Sequence, residues 1–385
     1  MNIVYCTDSV CFPGGIQRAT IAKANALAEV RGNRVWIVVT DNQRPHPVLP
    51  ISESVHLVDL GIKYYEDDWK SKWNVLDGLF FKRRKHKRAL RKFLNSIVPD
   101  ILISTGTSEK YFLPHLSIKS SPICIREIHF SKDYRQRAAK GWFDKLLAAV
   151  GDFADYRLNI WCYDRVVLLT EEDMSTHWRP SVKLSVIPNP TPTESISPSS
   201  LRNKTAIAVG RLVNQKNFES LIRAWAIVYQ DHRDWRLEIW GDGALRTSLE
   251  ELIYRLNLEA AVSLKGYTDD IQSKYTSASF LVCSSLFEGL PLMMIEAMSA
   301  GLPIVSYACP CGPKDLVREG KNGYLVPTGD ENALANRICL LIEDECLRMK
   351  MGASSLDYSK EYRIETIVTR WMDLFLSTLE EKRGL

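Results

Sequence analysis

The chain has 385 residues, 45% of them hydrophobic and 25% charged, which is enough for two domains that each bury a core. No apolar run approaches the ~20 residues of a membrane-spanning helix, and the opening MNIVYCT carries no secretory pattern of basic segment, apolar core and cleavage site, so a cytoplasmic location is expected. The net charge of +4 hides an asymmetry: residues 1–190 hold 28 Lys+Arg against 20 Asp+Glu, or +8, and the rest hold 22 against 26, or −4.

In chain order, MNIVYCT reads as a first strand, followed by Gly14-Gly15 and an apolar-periodic helix from Ile16 to Val30. Glycine there lets a ligand approach the backbone at a helix start, and the spacing is not the GxGxxG of a dinucleotide site. VWIVVT, ILIST, ICIREI and RVVLLT repeat the short apolar run, and alternation with helical segments predicts a parallel sheet covered on both faces. Between them, FKRRKHKRALRK packs eight Lys/Arg into residues 81–92. It has neither aromatic interleaving nor a nucleic-acid motif, so no nucleic-acid partner is expected. ICIREIH places His129 at the carboxyl end of a strand. The nine cysteines are scattered without zinc spacing and read as reduced thiols.

PNPTPTESISPSS, residues 188–200, is the sharpest break in the chain. After it the alternation restarts, predicting a second doubly wound domain. VGRLVNQKN sets Arg211 just beyond a strand and Lys216 just before a helix near Phe218–Tyr229, two cations suited to a diphosphate. LKGYTDD ends another strand at Gly266 and Tyr267. The run Ser279–Cys283 reads as a buried strand, with Glu288, Gly289 and Leu290 as its exit loop and Pro291 at the first position of the next helix. Glu296 then falls roughly 7–8 Å further along the axis at ~1.5 Å per residue. Two carboxylates flanking an anion-binding helix start suit a ligand with hydroxyls on both sides of a diphosphate. Residues 362–379 have helical periodicity.

The stretch FEGLPLMMIEAMSAGLPIV, with seven residues between Glu288 and Glu296, resembles the donor-site signature of the family-4 retaining glycosyltransferases. That resemblance implies an α/β GT-B fold, with two Rossmann-like domains facing each other across a cleft. It divides the chain into an acceptor-side domain (1–190), a nucleotide-sugar donor domain (191–361) and a final helix (362–385) returning to the first domain. It puts Glu288 on the hydroxyls of the transferred sugar, Glu296 on the ribose diol, and Arg211 and Lys216 on the donor diphosphate. Backbone near Gly266 and Tyr267 would read the base. His129 would touch the sugar and approach the acceptor, joining Glu288, Arg211 and Lys216 as catalytic candidates. Gly14 and Gly15 are similar to the family's GG-x-Glu-Arg element, with Gln17 in place of Glu and Arg18 retained; Gln17 has no assigned role.

No convincing metal-diphosphate motif is present, so neither metal nor cofactor is expected beyond the nucleotide-sugar itself. The segment CPCGPKD, residues 309–315, looks like that of UDP-sugar users acting on surface glycans. The basic run, preceded by Trp69, Trp73, Leu76, Leu79, Phe80 and Phe81, suits an anionic membrane surface. The expected partners are therefore a nucleotide-sugar donor, a glycan or lipid-linked acceptor and the inner face of the plasma membrane. The expected activity is retaining, metal-independent transfer of a hexose in cell-surface polysaccharide assembly. The competing readings are a GT-B sugar-nucleotide epimerase and a non-catalytic nucleotide-sugar-binding protein.

Overall fold

The computed structural model describes residues 1–11, 14–41, 46–64, 78–139, 141–191 and 197–384. They form two compact units. The first comprises Met1–Leu169, Trp178–Pro192 and Ile364–Leu385, and the second Thr170–His177 and Thr193–Arg363.

Seven parallel strands make the sheet of the first unit: β1 (Asn2–Thr7), β2 (Arg34–Val39), β3 (Val55–Asp59), β4 (Ile101–Ser104), β5 (Ile123–Glu127), β6 (Arg165–Leu168) and β7 (Leu184–Val186), in the order β3-β2-β1-β4-β5-β6-β7. The central strands are mostly apolar because helices cover both faces. Ile3, Tyr5, Ile101, Ile103 and Ile125 are all buried. The helix Gly15–Glu29 contributes Ile21, Ala24 and Leu27 to this core, and the helix Ile364–Arg383 contributes Trp371 and Phe375. The edge strands β3 and β7 bury little, which is why the apolar pattern of the sequence missed them.

The second unit repeats the architecture with β8 (Thr205–Val209), β9 (Arg236–Trp240), β10 (Val262–Gly266), β11 (Phe280–Cys283), β12 (Ile304–Tyr307) and β13 (Gly323–Val326), all parallel, in the order β10-β9-β8-β11-β12-β13. Strand order reverses between β1 and β4 in one sheet and between β8 and β11 in the other. At such a reversal the chain leaves neighbouring strands in opposite directions and opens a crevice beyond their carboxyl ends. Each unit thus holds one ready-made ligand crevice.

The basic run becomes the helix Arg83–Ile97, preceded by a wide turn over Gly78–Lys82. It is not solvated all round, since His86, Leu90 and Leu94 are buried on one side. Trp69, Trp73, Leu76 and the side chain of Leu79 lie outside the described residues. Among the described residues no helix is long and apolar enough to cross a membrane.

Candidate active site

In the second unit the crevice is built where the exits of β8 and β11 meet. Gly210 and Arg211 follow β8, and the backbone of Gly241 packs against them so closely that a Cβ at Gly241 (φ +133°) would stand 2.0 Å from the Gly210 carbonyl oxygen. Lys216 ends a tight turn, Asn214–Lys216, and Asn217 (φ +49°) redirects the chain into the helix Phe218–Asp231. Three hydrogen bonds tie this loop to the exit of β11: Ser284 Oγ donates to the Lys216 carbonyl at 2.8 Å, the Leu286 N–H to the Gln215 carbonyl at 2.8 Å, and Gln215 Nε2 to the Phe287 carbonyl at 2.9 Å.

That stitching brings Lys216 Nζ to 2.5 Å from Glu288 Oε1, both side chains being largely buried. Burial alone would lower the lysine pKa, but the Glu288 carboxylate outweighs it and the net shift is upward. The ammonium stays charged. Glu288 is held in turn by its own backbone, donating from N–H to the Pro310 carbonyl at 2.8 Å and accepting from the Cys311 N–H at 3.3 Å. Gly312 lets these two loops close. Its φ is +95°, and a Cβ there would come within 2.6 Å of both the Gly289 oxygen and Pro291 Cδ.

Glu296 is buried in the helix Leu292–Ser299, where Oε2 accepts from the Tyr275 hydroxyl at 3.0 Å. Pro291 stands at the N-cap, with ψ near 95°, rather than at the expected first helical position. Its ring restricts φ without requiring helical ψ, so it serves as the hinge into the helix. Gly289 is half-buried and Leu290 buried, whereas Arg211 is exposed. Gly266 (φ +81°) closes β10 and its carbonyl accepts from the Gly241 N–H at 2.8 Å; Tyr267 beyond it is 69% exposed, its hydroxyl donating to Asp269. Sequence reasoning missed Tyr275 and the role of Pro310-Cys311 as the clamp on Glu288. No local spacing signals either, because each contact joins segments far apart in the chain: two helices for Tyr275 and Glu296, two loops for the clamp.

The same clamp loop takes part in a three-residue cluster. Asp173 and His177, one turn apart on the helix Glu171–His177, and Cys311 bring a carboxylate oxygen, a ring nitrogen and a sulfur within 4.8 Å of one another. His177 Nδ1 and Asp173 Oδ1 are 2.9 Å apart, and Cys311 Sγ donates to the same oxygen at 3.9 Å. Such a set has the donor types of a transition-metal site, and equally it closes as a hydrogen-bonded triad.

The first unit carries a pocket of about 150 Å³ lined by Asp8, Gln17, Lys110, Arg126, His129 and Arg135 among others. Gln17 folds back over the helix start, its Oε1 only 2.6 Å from where a Gly14 Cβ would stand. Gly14 is the N-cap and Gly15 the first residue of that helix. His129, two residues beyond β5, is buried, and its Nδ1 lies 3.5 Å from Asn189 Nδ2. Nε2, 3.5 Å from Glu127 Oε1, has no hydrogen-bond partner among the described residues. Burial outweighs the pull of Glu127 and lowers the His129 pKa to about 4, leaving the ring neutral at physiological pH. Behind it, fully buried Glu127 pairs with fully buried Lys23. Burial alone would raise the Glu127 pKa, but the charge and hydrogen bond of Lys23 hold it low. Lys23 is a residue that sequence reasoning missed, since it lies inside an otherwise apolar helix face. Glu109 also borders this region, and burial plus the neighbouring Asp8 push its carboxyl up to about 7.

Residues 193–356 match the family model "Glycosyl transferases group 1". Over 366 residues, 93% of this chain and 95% of the relative, the sequence is 28% identical to an uncharacterized glycosyltransferase of Haemophilus influenzae. It is 26% identical over 269 residues, 67% of this chain and 76% of the relative, to the amylovoran biosynthesis glycosyltransferase AmsD of Erwinia amylovora. Sequence and fold together support a GT-B glycosyltransferase. Among solved structures, S. aureus TarM in complex with fondaparinux, alpha-GlcNAc-glycerol and UDP superimposes with a TM-score of 0.75 over 97% of this chain and 99% of that one, at 15% identity. The GT-B fold expected from the sequence is the fold observed.

Proposed function

We propose that this glycosyltransferase moves a hexose, with retention, from a UDP-linked donor to a hydroxyl of a lipid-linked glycan in surface-polysaccharide assembly, working peripherally at the inner face of the plasma membrane. The observation that carries the reading is the Lys216–Glu288 ion pair joined with buried Glu296 at the strand-order reversal of the second sheet. In this reading Lys216 and exposed Arg211 take the diphosphate, and their charge counts most as the nucleoside diphosphate departs. Glu288 accepts from the sugar hydroxyls, Glu296 from the ribose diol, and the backbone of Gly289, Leu290, Gly266 and Tyr267 frames the nucleotide. No carboxylate is assigned as a covalent nucleophile; the departing phosphate oxygen takes the acceptor proton on the face that the acceptor attacks. Neutral His129, backed by Glu127 and Lys23, offers a polar nitrogen to sugar or acceptor, and Gly14 and Gly15 let the substrate approach the backbone. Two cations and helix amides do the work that a divalent ion would otherwise do, so the reaction needs neither metal nor cofactor.

Support comes from AmsD, named for amylovoran biosynthesis, and from TarM, which binds UDP. The basic helix Arg83–Ile97 supplies charge for the membrane. Screening a panel of nucleotide-sugars by thermal shift, followed by product analysis with anomeric assignment, tests the proposal. Stabilisation by a UDP-sugar and a product of unchanged anomeric configuration are expected. Absence of any stabilisation across the panel, or an inverted product, overturns it.

A further inference from the structure

The helix Trp142–Phe153 faces the wrong way for a soluble protein. At 3.6 residues per turn, Trp142, Phe143, Leu146, Leu147, Val150 and Phe153 fall within one arc of roughly 140°, while Asp144, Lys145 and Asp152 occupy the other side. An ordinary surface helix turns its apolar arc to the core. Here Ala148, on the opposite side, is the one buried residue of the helix, and every large apolar side chain is exposed: Trp142 80%, Val150 62% and Phe153 59%. Leu158 and Trp161 extend the exposed apolar surface beyond its end. A contiguous patch of this kind marks an interaction surface.

The surroundings of the patch say what covers it. Two residues past the helix, Asp155 binds Lys110 at 2.7 Å and also pairs with Arg135. The Lys110 ammonium stands 4.7 Å from the centre of the Tyr111 ring, and the Arg83 guanidinium approaches the same ring at 5.7 Å. Arg83 opens the basic helix, and exposed Phe80 and Phe81 lie just before it. The carboxyl end of the apolar helix and the amino end of the basic helix are therefore neighbours on one side of the first unit. An apolar arc beside a dense cationic helix complements an anionic bilayer, which offers hydrocarbon below a negatively charged surface. A protein partner or a second copy would match the apolar arc but gives the adjoining cations no reason to cluster.

We propose that the helix Trp142–Phe153 is the membrane-inserting element of this protein, lying in the bilayer interface with its apolar arc sunk roughly 5–10 Å into the headgroup and acyl boundary, while the Arg83–Ile97 helix supplies the electrostatic attraction. The inference rests on the membrane-surface reading above and names the segment that inserts, one the basic run alone does not contain.

The test uses the full chain and vesicles of phosphatidylcholine with or without 30% phosphatidylglycerol, in ~0.15 M and ~0.5 M salt. The variant Leu146→Ser/Leu147→Ser/Val150→Ser alters only exposed positions, so its melting temperature and its affinity for UDP are expected to stay at the wild-type value. Its vesicle affinity is expected to fall at least tenfold. A second variant, Arg84→Ser/Lys85→Ser, is expected to lose affinity for anionic vesicles only at the lower salt, where charges are less screened. Brominated lipid should quench wild-type fluorescence more than that of Trp142→Phe, because Trp142 sits at the bilayer depth of the bromines. Equal quenching in the two proteins, or unchanged vesicle affinity in the triple variant, overturns the assignment of the helix even if the basic run binds lipid. So does a wild-type dimer in light scattering that the triple variant abolishes while vesicle binding is untouched. Retained UDP affinity separates a failure here from a failure of the donor-site reading.

Discussion

The two sheets share the strand order third-second-first-fourth-fifth-sixth, yet the crevices at their reversals handle charge differently. In the second unit the cation of Lys216 is balanced by Glu288 and the site is stitched by neighbouring loops. In the first, a fully buried Lys23–Glu127 pair supports a neutral histidine, and burial pushes the Glu109 carboxyl up to about 7. One crevice sets a buried lysine–carboxylate pair beside exposed Arg211, whereas the other sets a neutral histidine among Asp8, Lys110, Arg126 and Arg135. The lesson is that topology sets where a site lies, and the burial of individual ionisable groups sets what it can bind.

The comparison breaks first if the Lys23–Glu127 pair is not an ion pair. Lys23→Met strands a buried carboxylate and should cost about 3–5 kcal/mol of stability, while Lys23→Met with Glu127→Leu should recover most of it. Denaturant titration decides; a single variant within ~1 kcal/mol of wild type contradicts the pairing. Next in size is the donor clamp. Arg211→Ala should cost ~2–4 kcal/mol of transition-state stabilisation, the scale of one lost oxyanion donor. Because Arg211 is exposed, its melting temperature should not move. Lys216→Ala should lose activity on the same scale and also lose stability, since Glu288 is left buried and unpaired. Wild-type turnover in Arg211→Ala removes it from the clamp.

A finer cut separates the two glutamates. Glu288→Gln should reduce turnover more than UDP affinity. Glu296→Ala should weaken UDP binding itself by about 1–3 kcal/mol, the worth of a buried hydrogen-bonding group. Calorimetry giving equal UDP affinity in both would erase the division of roles. Activity should survive EDTA, with Mg²⁺ or Mn²⁺ changing the rate only modestly; a strict requirement abolished by Cys311→Ser would instead assign a metal to the Asp173–His177–Cys311 cluster.

The smallest effect is in pH. His86 and His129 are both lowered by burial to about 4 from 6.5, so the unfolded chain binds more protons between those values. Their stabilisation is present above pH 6.5 and is lost as pH falls towards 4. Glu109, raised to about 7 from 4.5, has the opposite sign: the native state holds the extra proton, and its stabilisation fades as pH rises from 4.5 through 7. Melting temperature followed from pH 7 to pH 4 should therefore fall more steeply in Glu109→Gln than in wild type. An identical slope shows that Glu109 does not hold that proton.

Much of the fold was legible because long buried strands and periodic helices announce themselves over many consecutive residues. β1, β2, β8 and β11 lie within a residue or two of their expected places. The edge strands β3 and β7 were not, having little apolar surface to bury. Arg211, Lys216 and Glu288 were visible as candidates because each lies in a short motif between a strand and the next helix, and Glu296 because it follows Glu288 at a fixed spacing inside that helix. Tyr275, Lys23 and the Pro310-Cys311 clamp were not, because each acts on a residue that only folding brings near. The helix Trp142–Phe153 shows its amphipathic spacing in the sequence, but spacing cannot say whether the apolar arc points inward or outward.

The sequence by itself determined the alternation of strands and helices, the break near residue 190 and the residue types at the strand exits, since these depend on local periodicity and turn chemistry. The tertiary structure alone decided which ionisable groups lose their water. Lys216 and His129 are both polar residues near strand ends, yet a carboxylate at 2.5 Å keeps the first charged while burial keeps the second neutral. Desolvation depends on everything packed around a group, and no window of neighbouring residues contains that information.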